Sequence, residues 1–199
     1  MLRSCDASSL VIDTLGDWAR GKDAAVACFY FDFAAQKEQS PPSVLSSLLK
    51  QVVGGLDEIP AHIAQAFRDQ KKVIGGRKLG LPEIVQWLQD VSSTRHTFIC
   101  IDALDECMDE FRRELLDLLE QILDKSRSTR IFMAGRSYIW DEVEKHLASR
   151  AASVCITPTT DGVMRFLRAK LKVDTTPDEM DQRLEEDIFK NIPKTVSKT

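Results

Sequence analysis

The sequence predicts an α/β fold, a mainly parallel sheet covered by helices on both faces. Three observations predict it. Short apolar runs alternate with longer segments whose apolar residues recur at helical spacing. The links between successive runs are long enough for right-handed crossovers. One run, Phe98 to Ile101, is continuously apolar, as a strand buried on both faces is, and it ends in the carboxylate of Asp102.

The elements follow in order. Ser8 to Ala19 carries Leu10, Val11, Leu15 and Trp18 at helical spacing, and Gly21 suits the position just past a helix end. Val26 to Phe33 is rich in β-branched and aromatic residues and predicts a strand. Ala34 to Ser40 is a polar connector. Pro41 and Pro42 suit a helix start, with Val44, Leu45, Leu48, Leu49, Val52 and Val53 on its apolar side and Gly54 and Gly55 stopping it. Ile59 to Val73 predicts a more polar helix, Gly75 to Gly80 a turn, and Leu81 to Val91 a third helix. The apolar strand Thr97 to Leu104 comes next. Phe111 to Lys125 is strongly amphipathic, carrying Leu115, Leu116, Leu118, Leu119, Ile122 and Leu123. Ile131 to Ala134 predicts a short strand, Gly135 to Ser137 a turn, and Trp140 to Ser149 a helix. Val154 to Ile156 reads as a last strand. Asp161 suits the cap of a helix through Leu171, and Pro177 to Ile192 a final charged helix before a polar end.

Composition narrows the function classes. The chain has 199 residues, 43% of them hydrophobic, which suits one domain or a domain fragment with a sizeable core. A net charge of -4 with interleaved signs gives no basic stripe for nucleic acid. The five cysteines lack zinc-knuckle spacing, and Cys28, Cys100 and Cys155 lie in apolar runs, as small buried hydrophobes do in a reducing compartment. His62, His96 and His146 are scattered and read as exposed. The tryptophans, Trp18, Trp87 and Trp140, fall on apolar helix faces and read as packing groups. No signal-peptide pattern and no membrane-length apolar run is seen, which places the expected location in the cytoplasm.

The chemistry concentrates at Phe98-Ile-Cys-Ile-Asp-Ala-Leu-Asp-Glu-Cys107. Carboxylates at the carboxyl end of a buried parallel strand sit where open α/β sheets bind ligands. This is the layout of a Walker B element, in which an aspartate helps hold Mg²⁺ on a nucleotide. With Val26 to Phe33, Ser40 to Gln51 and Ile131-Phe-Met-Ala-Gly-Arg-Ser137, it resembles the NACHT-type P-loop NTPase domain of fungal STAND proteins, also called nephrocystin-like N-terminal domains. The resemblance covers about Ser4 to Leu171.

That resemblance implies a set of roles. Asp102 would hold Mg²⁺ through water. Asp105 and Glu106 would be the catalytic acids, one of them orienting the attacking water. Arg136 would be the sensor arginine on the γ-phosphate. ATP or GTP with Mg²⁺ would be the cofactor. The family role is a nucleotide-dependent oligomerisation switch in non-self recognition or cell death, through self-association or protein partners. Each residue also has a plainer reading. Asp102 suits a strand-end carboxylate capping the next turn, Asp105 and Glu106 a surface pair at a helix start, and Arg136 a surface salt bridge.

The Gly-Lys-Ser/Thr phosphate loop expected before the first helix is not seen. Leu2-Arg3-Ser4 stands in its register, with Leu2 for glycine, Arg3 for lysine and Ser4 for the hydroxyl that binds Mg²⁺ with the nucleotide. Ser4 suits a helix N-cap equally. A phosphate loop works through successive backbone N–H groups, which Arg3 cannot replace. The first core strand is thus expected to be missing, which would leave ladder groups unpaired at roughly 1–3 kcal/mol each. The reading is therefore of a truncated product: residues 1–172 form an incomplete NACHT-like core, and 173–199 the start of a C-terminal region. The alternatives are a nucleotide-independent protein-interaction module and a non-functional relic.

Overall fold

Helix-to-strand alternation in the sequence becomes a small parallel sheet with helices on both sides. The computed structural model describes residues 4–72, 79–147, 150–155, 159–172 and 182–196. The chain runs α1 (Ser4–Ala19), β1 (Ala24–Tyr30), α2 (Pro41–Gly54), α3 (Ala61–Lys72), α4 (Leu81–Thr94), β2 (His96–Asp102), α5 (Asp109–Lys125), β3 (Thr129–Met133) and α6 (Trp140–Leu147). Two further helices, α7 (Thr160–Lys172) and α8 (Gln182–Val196), follow. By contacts the chain divides into two compact units, one of Ser4–Ala152 and one holding Ser153–Thr199.

The sheet belongs to the first unit. Its order is β1-β2-β3, all parallel, with Ala27 opposite Ile99 and Ile99 opposite Ile131. Strand residues point alternately to the two faces. Phe98 and Asp102 face α1, where Trp18 meets the Phe98 ring edge-on at 5.3 Å and Ser8 reaches Asp102. Ala27, Ile99 and Ile101 face the other way, into a core shared with Leu45 and Leu48 of α2, Leu88 of α4, and Leu116 and Leu119 of α5. All of these side chains are fully buried. The apolar stripe read for α2 is buried in full, and Pro41 opens the helix as expected. Gly21 takes the left-handed conformation just past α1, with φ of 69°.

The two sheet edges differ. Along β1 the outer edge is closed by side chains. The Gln51 carboxamide pairs with both the N–H and the C=O of Cys28, at 3.0 and 2.8 Å, and Arg95 donates to the carbonyl of Ala24. Along β3, Ser128 and Ala134 turn their backbone groups toward β2, so Thr129, Ile131 and Met133 turn theirs outward. Among the described residues no strand pairs with that edge.

Several boundaries move from expectation. β1 stops at Tyr30, three residues before Phe33, because Asp32 turns its carboxylate onto the N–H of Ala34 and starts a short 3-10 turn. β2 stops at Asp102, two residues before Leu104, because Ala103 adopts φ of 53° and breaks the extended path. α1 already includes Ser4. Val154 and Cys155 are not in a strand, and Val154 is 82% exposed; Ile156 lies outside the described residues. The cap of α7 is Thr159, whose hydroxyl accepts from Gly162 N–H, while Asp161 pairs with Arg165 inside the first turn. The last helix runs on to Val196. Of the cysteines expected to be buried, Cys100 is and Cys155 is exposed. His146 is half-buried against Asp117 at 2.6 Å, unlike the exposed His62 and His96.

Candidate functional site

Parallel strands bring their carboxyl ends to one side of the sheet, and the acidic residues of the β2 end lie there. Asp102 is the last residue of β2 and is 2% exposed. A buried carboxylate needs donors. Its Oδ1 accepts the Ser8 hydroxyl at 2.7 Å and the Ala103 N–H at 2.9 Å. The plainer role of capping the next turn is therefore present in the Ala103 contact. Ser8 is itself fully buried on α1.

Residues Leu104–Glu106 form one 3-10 turn, which is stitched to both neighbouring strands. On the β3 side, Leu104 N–H donates to Ala134 O, and Arg136 N–H donates to Asp105 Oδ1 at 3.2 Å. Arg136 Nε lies 3.3 Å from Asp105 Oδ2. Gly135 permits this approach, since a Cβ there would come within 2.8 Å of Ile139 Cδ1 and 3.3 Å of Asp105 Oδ1. On the β1 side, Phe31 N–H donates to Asp102 O, and Phe33 N–H donates to Glu106 Oε2 at 3.0 Å. Gln36 Nε2 donates to Glu106 O at 2.6 Å.

Four of the five sequence-predicted site residues, Asp102, Asp105, Glu106 and Arg136, thus meet at adjacent strand ends. For the fifth, Ser4, only the backbone at the start of α1 is described, and Leu2 and Arg3 lie outside the described residues. Sequence reasoning missed Ser8, Gln36 and Tyr138, whose hydroxyl donates to Asp105 O at 3.3 Å. No local pattern marks Ser8: it meets Asp102 across 94 residues of chain. A cleft lined by Trp18, Lys22, Arg95 and His96 opens at the opposite, amino ends of the strands, away from these groups.

The residues present fit one half of a magnesium nucleotide site. Carboxylate oxygens suit Mg²⁺, and a guanidinium suits phosphate. Among the described residues no group of three or more His, Cys, Asp or Glu is gathered that could hold a metal by itself. Ions of this kind are commonly shared between one or two carboxylates and substrate phosphates. The cradle half does not fit. The N–H groups of Phe33, Ala34, Ala103 and Arg136, which line the strand ends, already donate to Glu106, Asp32, Asp102 and Asp105.

Next to this turn, Arg112 of α5 is buried and bridges Glu142 at 2.7 Å, Asp109 at 2.8 Å and Cys107 O at 3.0 Å. Burial works against its charge, but the hydrogen bonds from Glu142 and Asp109 outweigh that and raise its pKa. It ties the end of the acidic turn to α5 and α6.

The family model described as nephrocystin 3, N-terminal, matches residues 7–136, well over half of the chain. Among solved structures, a Walker-type ATPase of Pyrococcus abyssi is similar at 14% identity with a TM-score of 0.47. That similarity covers 92% of this chain and 63% of the other, so the chain spans less than two thirds of that structure's length. No curated protein matches. Among the described residues no helix is long and apolar enough to cross a membrane. From the family match, which runs through α1, the acidic turn and Arg136, the chain belongs to the nephrocystin 3 N-terminal family.

Proposed function

We propose that this chain carries the metal-and-sensor half of the nucleotide site of a NACHT-type STAND signalling NTPase. In that reading, ATP or GTP with Mg²⁺ sets a switch between self-association states of a cytoplasmic protein of fungal type, with non-self recognition or cell death as the output. The observation that carries it is that Asp102 ends β2 while Glu106 and Arg136 lie just past β2 and β3, on the carboxyl side of one parallel sheet, where open α/β sheets bind ligands.

The roles follow from the surroundings of each group. Asp102 is held by Ser8 and would reach Mg²⁺ through water, as a buried, oriented acceptor does. Glu106 gives Oε2 to Phe33 N–H and keeps Oε1 without a partner among the described residues, so it is the acid suited to orient water. Arg136 is 66% exposed, and a guanidinium suits a phosphate. Ser4 would add its hydroxyl at the start of α1. A bound magnesium nucleotide supplies the phosphates that share the ion with these residues.

A second reading is a nucleotide-independent protein-interaction module, or a non-functional relic. The engaged strand-end N–H groups favour it. Calorimetric titration of the chain with Mg-ATP and Mg-GTP, with Asp102→Ala and Arg136→Ala as controls, separates the readings. The nucleotide reading expects saturable binding weakened by both substitutions. Lack of saturable binding at millimolar nucleotide rejects it, and a cooperative thermal transition then separates a folded interaction module from a relic.

A further inference from the structure

Resting on the nucleotide reading of this site, we infer that Asp105 is the positioning residue for Arg136. It belongs to the acidic pair assigned from sequence to catalysis, yet its contacts point elsewhere. Its side chain is 8% exposed, against 66% for Arg136. Oδ1 takes the Arg136 backbone N–H at 3.2 Å, and Oδ2 lies 3.3 Å from Nε of the same residue. One carboxylate therefore meets Arg136 at two points, with a hydrogen bond to its backbone and an ion pair at its guanidinium.

That ion pair uses only one edge of the guanidinium. Five N–H donors are available in a planar fork. Asp105 takes Nε, and among the described residues the two terminal nitrogens have no partner. Such a pair is spaced for two phosphate oxygens. A free arginine on an exposed turn would lose rotamer freedom on binding an anion, and one already held by its Nε loses less. The seat of the carboxylate is itself rigid. Tyr138 donates to Asp105 O, Leu104 N–H donates to Ala134 O, and Gly135 leaves the space that Asp105 Oδ1 fills. Asp105 touches no reacting atom in this scheme. Its carboxylate acts through Arg136, which leaves Glu106 as the acid with an oxygen to offer.

The test is a double-mutant cycle read by binding. Mg-ATP and Mg-ADP affinities are measured by calorimetry for the wild-type chain, Asp105→Asn, Arg136→Ala and the double variant. Asn keeps an acceptor for the Arg136 N–H and loses the one for Nε, so the turn has a route to stay folded; Asp105→Glu and a thermal melt check that it does. The wild-type chain should prefer the triphosphate. Asp105→Asn should lose roughly two- to fivefold of that preference, the range expected for a partly exposed ion pair. The double variant should lose no more than Arg136→Ala alone. If Arg136→Ala abolishes the preference and Asp105→Asn keeps it, the positioning role is overturned and the nucleotide reading stands. Equal weakening of ATP and ADP by Asp105→Asn also overturns it, since that is what general loosening of the turn produces. If the wild-type chain binds neither nucleotide saturably, the reading beneath the inference fails, and the inference with it.

Discussion

The Ser8 hydroxyl donates to Asp102 Oδ1 across 2.7 Å, with both residues buried. This contact joins α1 to the end of β2 and gives the strand-end aspartate a donor within the fold. Replacing Ser8 by Ala removes that donor and leaves a buried carboxylate short of one partner. The expected loss is about 1–3 kcal/mol of stability. Urea denaturation at pH 7 measures it, and a Ser8→Ala midpoint equal to wild type would show the contact to be dispensable.

The Gln51 carboxamide covers part of the outer edge of β1. It meets both backbone groups of Cys28. An edge with such groups uncovered is a template for pairing with another chain. Gln51→Leu should cost about 1–3 kcal/mol, at roughly 0.5–1.5 kcal/mol for each of the two bonds lost. It should also raise self-association, read by light scattering at increasing concentration.

These two contacts show which parts of the molecule the sequence makes legible. α2 is readable because Pro41 and six apolar residues at helical spacing act locally, and β2 because a continuous apolar run ends in carboxylates. Asp102, Asp105, Glu106 and Arg136 are readable as a set because strand ends gather on one side of a parallel sheet. The partners of that set are not. Ser8 looks like any small helix residue until the chain closes over 94 positions, and the Gln36 and Tyr138 contacts are equally remote in sequence. Strand ends also shift where a single residue turns the path, as Ala103 does with its positive φ. Val154 and Cys155 mislead because apolar residues suit a strand only where a neighbour pairs with them.

Gly135 predicts a steric test of the β3 end. An added Cβ would sit 2.8 Å from Ile139 Cδ1, and Ile139 is buried. Gly135→Ala should destabilise by about 1–3 kcal/mol through overpacking. Ile139→Val removes Cδ1, so the double variant should recover part of that loss. Thermal melts of the four proteins give the comparison.

The thiols make a prediction about pH. Burial, aided by the nearby Cys28, pushes Cys100 up to about 11, and burial does the same for Cys107 despite the lowering effect of Arg112. The thiolate is the reactive form, so both should resist alkylation at pH 8 in the folded chain, while the exposed Cys155 reacts. Raised folded-state values favour the neutral thiols. That contribution to stability is complete below the ordinary value of 9.0 and is lost as pH rises through about 11. Denaturation midpoints should therefore fall between pH 9 and pH 11, and Cys100→Ala should flatten the fall.

The central claim is that the acidic turn and the Arg136 turn form a nucleotide-sensing site. Hydrogen–deuterium exchange of the chain with and without saturating Mg-ATP tests it most directly. The account predicts added protection at residues 102–106 and 134–138, with α5 and α6 unchanged beyond their contact with the turn. Identical exchange at those two segments, under conditions where calorimetry shows the nucleotide bound, would contradict it.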